Sequence, residues 1–260
     1  MPDQPAISVA RHGSVAIITI DNPPANSMGL KVITGLSTAL DSLEEDLSAR
    51  TIVLTGKGDK IFCAGADIKL LSDTHTITED HPLFQAAHLF NRIERYPKAV
   101  IAAINGFCLG GGAELAMSCD LRIASEQARF GQPEVKLGIT PGWGGTQRLT
   151  RLIGKSRAQP LLLTGDMLDA ERALAWGLVN EVTTAGDLLN RAITVASDLA
   201  DKAPLAIAEI KRRVVDGRQQ DLPDAVGDDL RGMLRLLDTL DGKEGVTAFL
   251  EKRKPVFKGA

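Results

Sequence analysis

The chain has 260 residues, 44% of them hydrophobic and 24% charged, a balance that suits a folded globular protein and excludes a disordered or fibrous one. Its 30 basic and 33 acidic side chains leave a formal net charge of -3, so no global field attracts polyanions and nucleic acid is excluded as a principal partner. The length admits one large domain or two modest ones.

Residues 1–13 show neither the basic start and apolar stretch of a secretory signal nor an Arg-rich transit pattern. Cys63, Cys108 and Cys119 are odd in number and lack CxxC spacing, which disfavours both a disulfide framework and a zinc knuckle. A cytoplasmic location is expected. Segment 15–20, VAIITI, is β-branched and apolar, and the turn residues DNPPAN stop it, so it reads as a buried strand. From Gly29 to about Ser48 the residues Leu30, Ile33, Leu36, Leu40, Leu43 and Leu47 recur at helical spacing. TIVLTG at 51–56 then returns to strand character and completes a β-α-β unit. A helix over 84–96 precedes another apolar run, AVIAAI at 99–104, so a parallel-type α/β core is expected.

Residues 99–117 have the length and hydropathy of a membrane span. Asn105 and Glu114 would be costly in hydrocarbon, however, and Gly110, Gly111 and Gly112 weaken a continuous helix. A buried strand, loop and helix is expected there instead of membrane insertion. Beyond Leu137 the pattern predicts helices near 145–152, 156–163, 169–176, 186–201, 204–216, 221–239 and 242–254. With no flexible linker or long repeat, the expected division is a core over 1–197 and a helical region over 198–260.

Three loops carry the chemistry: IFCAGADIK at 61–69, NGFCLGGGAEL at 105–115 and FGQPEVKLG at 130–138. In the first, Ala64, Gly65 and Ala66 allow a ligand to approach the main chain, and Asp67 is placed to begin a helix. In the second, the glycine triplet precedes a helix-like segment whose free N–H groups can face an anion. One N–H from each loop aimed at one carbonyl oxygen would make an oxyanion hole. Each loop taken alone also fits a plain tight turn. A dinucleotide site or P-loop is not supported, since GxGxxG is absent and GKS at 154–156 lacks its upstream glycine. Glu114 sits on an otherwise apolar stretch where an unpaired carboxylate is costly, and Glu134 follows Pro133, which restricts the backbone that mounts it.

CAGADIK, NGFCLGGGAELAMSCDLRIA, FGQPEVKLGITPGWGGTQRL and the closing FLEKRKPVFK together resemble the crotonase, or enoyl-CoA hydratase, family over essentially the whole chain. The resemblance implies an α/β fold, the crotonase (ClpP-like) spiral of β-β-α units, with a helical C-terminal trimerisation region. It implies oxyanion donors at the N–H groups of Ala66 and Gly111, catalytic acids at Glu114 and Glu134, and a water-positioning glycine at Gly142. For the CoA carrier it implies contacts at Ala64, Asp67, Ile68 and Lys69, with Phe249 and Lys252 reaching it from a neighbouring subunit. The implied reaction is hydration of a trans-2-enoyl-CoA to 3-hydroxyacyl-CoA, as in fatty-acid β-oxidation or a related pathway. No cofactor or metal is required, since coenzyme A is part of the acyl-CoA thioester substrate, and assembly as trimers or hexamers is expected. Alternatives are isomerisation, thioester hydrolysis, hydration of an alicyclic dienoyl-CoA, or a non-catalytic binding protein.

Some positions depart from the family pattern or carry rival readings. The segment Asp21-Asn22-Pro23-Pro24-Ala25-Asn26 lacks the basic residue that relatives often carry near the adenosine end. Trp143 replaces a smaller side chain of many relatives, and either narrows the acyl pocket or packs beneath the turn. Residues 71–85 correspond to a variable region that shapes the acyl-tail site. His75, His81 and His88 form no metal-binding motif and read as loop surface. Lys211, Arg212 and Arg213 read as a solvated helix face, and Cys63 as a packing residue without a histidine to activate it.

Overall fold

The computed structural model describes residues 5–72 and 78–260; His75 and part of the expected acyl-tail segment lie outside them. The first half comprises β1 (Ile7–His12), β2 (Val15–Ile20), α1 (Leu30–Glu45), β3 (Thr51–Gly56), β4 (Ile61–Cys63), α2 (Ile68–Ser72), α3 (Pro82–Arg95), β5 (Ala99–Ile104), β6 (Phe107–Leu109) and α4 (Gly111–Ser118). Then come β7 (Leu121–Ser125), β8 (Arg129–Gly131), α5 (Gly145–Ile153), α6 (Lys155–Thr164), β9 (Met167–Asp169), α7 (Ala170–Trp176) and β10 (Glu181–Thr183). Four helices close the chain: α8 (Leu188–Ala200), α9 (Pro204–Asp216), α10 (Leu222–Leu237) and α11 (Leu240–Leu250).

The strands form two sheets, a larger one in the order β1-β2-β3-β5-β7-β10 and a smaller one in the order β4-β6-β8-β9. From β2 to β10 the larger sheet is parallel, and only β1 runs against its neighbour. Each coil of the chain lays one strand in the large sheet and the next in the small one: β3 then β4, β5 then β6, β7 then β8. This is the β-β-α spiral.

Every residue of β3 and β5 is buried, as a parallel sheet covered on both faces requires. Alternation sorts their side chains. Val53, Ile101 and Ala103 pack with Leu188, Ala192 and Ala196 of α8, while Ile52, Leu54, Val100 and Ala102 face the main core with α1 and α3. Asn105 stitches the turns between the sheets, donating to Gly58 O at 2.9 Å and accepting from Gly56 N at 3.3 Å.

Three expectations need correction. His88 is not in a loop but on an exposed position of α3, and His81 caps that helix, its Nδ1 accepting from Leu83 N at 3.3 Å. Lys211 is not on a solvated face: only 8% exposed, it donates to Asp120 at 2.6 Å and to Lys98 O at 3.0 Å, docking α9 on the core. Its neighbours Arg212 and Arg213 pair with Glu209. The last helix also stops at Leu250, before the expected 254, as Lys252 turns to φ 55°. The tail then folds back, and the N–H groups of Lys258 and Gly259 bind the buried Asp241 carboxylate at 2.6 and 2.7 Å.

Candidate active site

Strands β4, β6 and β8 lie side by side and parallel in the small sheet, so the loops leaving their ends converge. These are the three loops of the sequence pattern. The first is pinned on both sides of Ala66, with Met28 N donating to Gly65 O at 2.8 Å and Asp67 N to Met28 O at 3.2 Å. The Asp67 side chain accepts from Lys69 N at 3.0 Å and starts α2.

The second loop packs on the first through bare backbone. A Cβ on Gly112 would stand 2.1 Å from Cys63 O, so only glycine permits this approach. A Cβ on Gly111 would lie 3.4 Å from Ala66 N, which brings the two expected donors to one spot. Gly111 is the first residue of α4, where N–H groups have no intrahelical partner. Among the described residues, neither the Ala66 nor the Gly111 N–H is taken by a main-chain carbonyl.

Glu114 projects from the first turn of α4 and is 1% exposed. Its Oε1 accepts from Trp143 N at 2.7 Å and Gly145 N at 2.6 Å, and no hydrogen bond among the described residues occupies its Oε2. Burial, seconded by the charge of Glu134, pushes its carboxyl up to about 7 against the pull of those N–H groups and Arg148. Glu134 stands on a 3-10 turn, Pro133–Leu137, where burial also raises its carboxyl. Among the described residues its Oε2 is buried without a partner, as is Oε1 of Gln132 two residues earlier. Its Oε1 lies 2.6 Å from where a Gly110 Cβ would be, and Gly110 itself adopts φ 51°. An alanine there would be both strained and in collision with the acid.

These groups open on one cavity of about 480 Å³, lined by Ala64, Ala66, Ile68, Gly111, Glu114, Glu134 and Gly142 of the expected residues. Leu71, Leu83, Phe84, Ala87, Ile139 and Trp143 add an apolar wall. Asp67, Lys69, Phe249 and Lys252 do not line it in this single chain. Cys63 is fully buried with its thiol pushed up to about 12, which removes it as a nucleophile.

The sequence pattern did not single out Gly145 or Arg148. Gly145 matters through its N–H alone, and a Cβ there would meet Gln132 Oε1 at 2.8 Å and Glu114 Oε1 at 3.0 Å. Arg148 is 8% exposed on the buried face of α5, in line with Leu149 and Ile153. It donates to Trp143 O at 2.8 Å, Asn91 at 2.8 Å and Glu94 at 3.0 Å, holding the 142–145 turn from behind. An arginine on the apolar face of an amphipathic helix was the available signal.

Two main-chain donors beside a buried, anchored carboxyl and a half-buried one with an oxygen unpartnered among the described residues suit acid-base chemistry on a polarised carbonyl compound. The family model described as Enoyl-CoA hydratase/isomerase matches residues 10–260, and the chain belongs to that family. It is 42% identical to the short-chain-enoyl-CoA hydratase of Clostridium acetobutylicum, over 95% of each chain. It is also 40% identical to the crotonyl-CoA hydratase of Syntrophomonas wolfei, over 96% of this chain and 97% of that one. The crystal structure of an enoyl-CoA hydratase from Bacillus anthracis superposes with a TM-score of 0.93 at 38% identity, over 98% of this chain and all of that one.

Proposed function

We propose that this chain is an enoyl-CoA hydratase that adds water across the 2,3 double bond of a trans-2-enoyl-CoA to give 3-hydroxyacyl-CoA. The observation that carries the reading is the pairing of Glu114, fixed through one oxygen by two N–H groups, with Glu134, whose buried Oε2 has no partner among the described residues. Retention of both acids favours hydration over isomerisation or thioester hydrolysis.

The N–H groups of Ala66 and Gly111 receive the thioester oxygen and stabilise enolate charge as it develops, each contributing about 3 kcal/mol by the usual effect of an oxyanion donor. Glu114 takes a proton from the water that attacks C3, and Glu134 delivers a proton to C2. Gly142, on the turn beside Glu114, positions the water. Two carboxyls in one partly dry cleft disfavour joint ionisation, so an acid and a base coexist near neutral pH. The chain supplies both proton steps and the polarisation, and the proposed reaction needs no cofactor.

Coenzyme A would enter along Ala64, Asp67, Ile68 and Lys69, with Phe249 and Lys252 of a neighbouring subunit completing its site in a trimer or a pair of trimers. The exposure of Phe249, 82% in the isolated chain, supports that assignment. The three cysteines are buried and free, which suits a reducing cytoplasm. Among the described residues no helix is long and apolar enough to cross a membrane. Loss of the ultraviolet absorbance of the conjugated thioester when purified protein meets crotonyl-CoA tests the reaction directly. No loss with any enoyl-CoA would reject it.

A further inference from the structure

Trp143 lines two clefts. One is the apolar reaction cavity; the other is a cavity of about 430 Å³ lined by Arg95, Arg148, Arg151 and Arg218. Ala87, Gly142 and Trp143 border both.

The ring is held firmly. Its Nε1–H donates to Leu83 O at 2.9 Å, and it meets Phe90 edge to face at 5.5 Å and 82°. Only 6% exposed, and anchored to α3 at both contacts, it is not free to swing aside for a bulky substrate. Its place relative to the reacting atoms is also fixed. A Cβ on Gly111 would lie 2.3 Å from Cζ3 and 2.5 Å from Cε3 of the indole, so the ring abuts the main chain that presents the Gly111 N–H. The main-chain N–H of the same tryptophan binds Glu114. An acyl carbon attacked by water on Glu114 therefore sits close to Trp143, whose side chain is part of the apolar wall of the same cavity.

We propose that Trp143 is the end wall of the acyl pocket, confining the substrate to short, unbranched enoyl thioesters and shutting the tail out of the arginine-lined cleft. The inference rests on the hydratase reading. A tryptophan that only packed beneath its turn would affect stability and leave chain-length preference unchanged.

The test compares kcat/KM for crotonyl-CoA and trans-2-octenoyl-CoA in the wild type, Trp143→Ala and Trp143→Phe. The wild type should prefer crotonyl-CoA. Trp143→Ala should raise the octenoyl-to-crotonyl ratio by at least about tenfold, the scale on which a pocket discriminates methylenes. The ratio is the readout, because any loss common to both substrates, such as a disturbed Glu114 or Gly111 backbone would cause, cancels from it. Trp143→Phe should shift the ratio in the same direction by less. An unchanged or lowered ratio in Trp143→Ala overturns the proposal; if that variant does not fold, an unchanged ratio in Trp143→Phe does so. A wild type inactive on every enoyl-CoA rejects the hydratase reading instead. The wall is then tested by calorimetry with butyryl-CoA and octanoyl-CoA, where equal relative affinities in wild type and variant overturn it.

Discussion

In the proposed mechanism Glu114 meets two opposed demands, since a catalytic base must ionise and a buried carboxyl resists ionisation. Folding raises its carboxyl from the ordinary 4.5 to about 7, chiefly through burial. A carboxyl raised on folding costs no stability below its unfolded value, and the cost grows as pH climbs through the folded value. Glu114→Gln keeps the oxygen that accepts from Trp143 and Gly145. It should therefore stabilise the fold at about pH 9 by on the order of 3 kcal/mol, with the gain vanishing near about pH 4. Urea unfolding at the two pH values measures this, and equal effects would contradict it. In the wild type kcat/KM should rise with pH through about 7 as the base ionises. Glu134→Gln should lower kcat by about a thousandfold, with CoA-ester affinity within a few-fold by calorimetry. Both acids were singled out in the sequence by the family-like motifs that carry them, and the structure brings both carboxyls to one cavity. The peptide groups of Trp143 and Gly145 that aim Glu114 were not singled out, because a main-chain donor leaves no trace in residue type.

Helix α5 meets α3 and the segment after α9 through an ion network that runs from the buried Arg148 through the half-buried Glu94 to the exposed Arg218. Those two cations hold the half-buried Glu94 carboxyl below its usual range against the effect of burial. Arg148→Met would leave Glu94 with one partner and free the Trp143 carbonyl, so a loss of about 3 kcal/mol is expected in chemical denaturation. Removing the cation also removes a pull that favours ionised Glu114, so the acid limb of the pH profile should move to higher pH. Arg148→Lys should recover part of both effects. At this scale the long elements were plain in the sequence, as the period of α1 and the runs of β2, β3 and β5 show. The small sheet was not, since β4, β6 and β8 are three residues each, too short for any period to register. β1 was hidden for another reason: ISVARH is mostly exposed and carries no apolar run.

Across the whole molecule, α10 and α11 leave an apolar array uncovered, including Leu230, Leu234, Leu240 and Phe249 at 53, 52, 64 and 82% exposure. An expanse of this kind on a folded chain marks an association surface. Sedimentation should give a trimer or hexamer, and Leu234→Glu should shift it toward monomer while raising the KM for crotonyl-CoA. A fully active wild-type monomer would refute the shared site. The sequence conveyed the helical character of this region but not which faces stay open, because coverage depends on neighbours. The spiral has one more consequence. Of the polar contacts assigned to the reaction centre, the N–H groups of Ala66, Gly111, Trp143 and Gly145 belong to the peptide itself, which every residue but proline supplies. Point mutation can delete a carboxylate in one step, whereas it reaches those four donors only through proline or by disturbing the loops. Drift in such a lineage is therefore free to explore the side chains around the acyl tail while the hydration machinery stays in place, a design in which new substrates are easier to acquire than new chemistry.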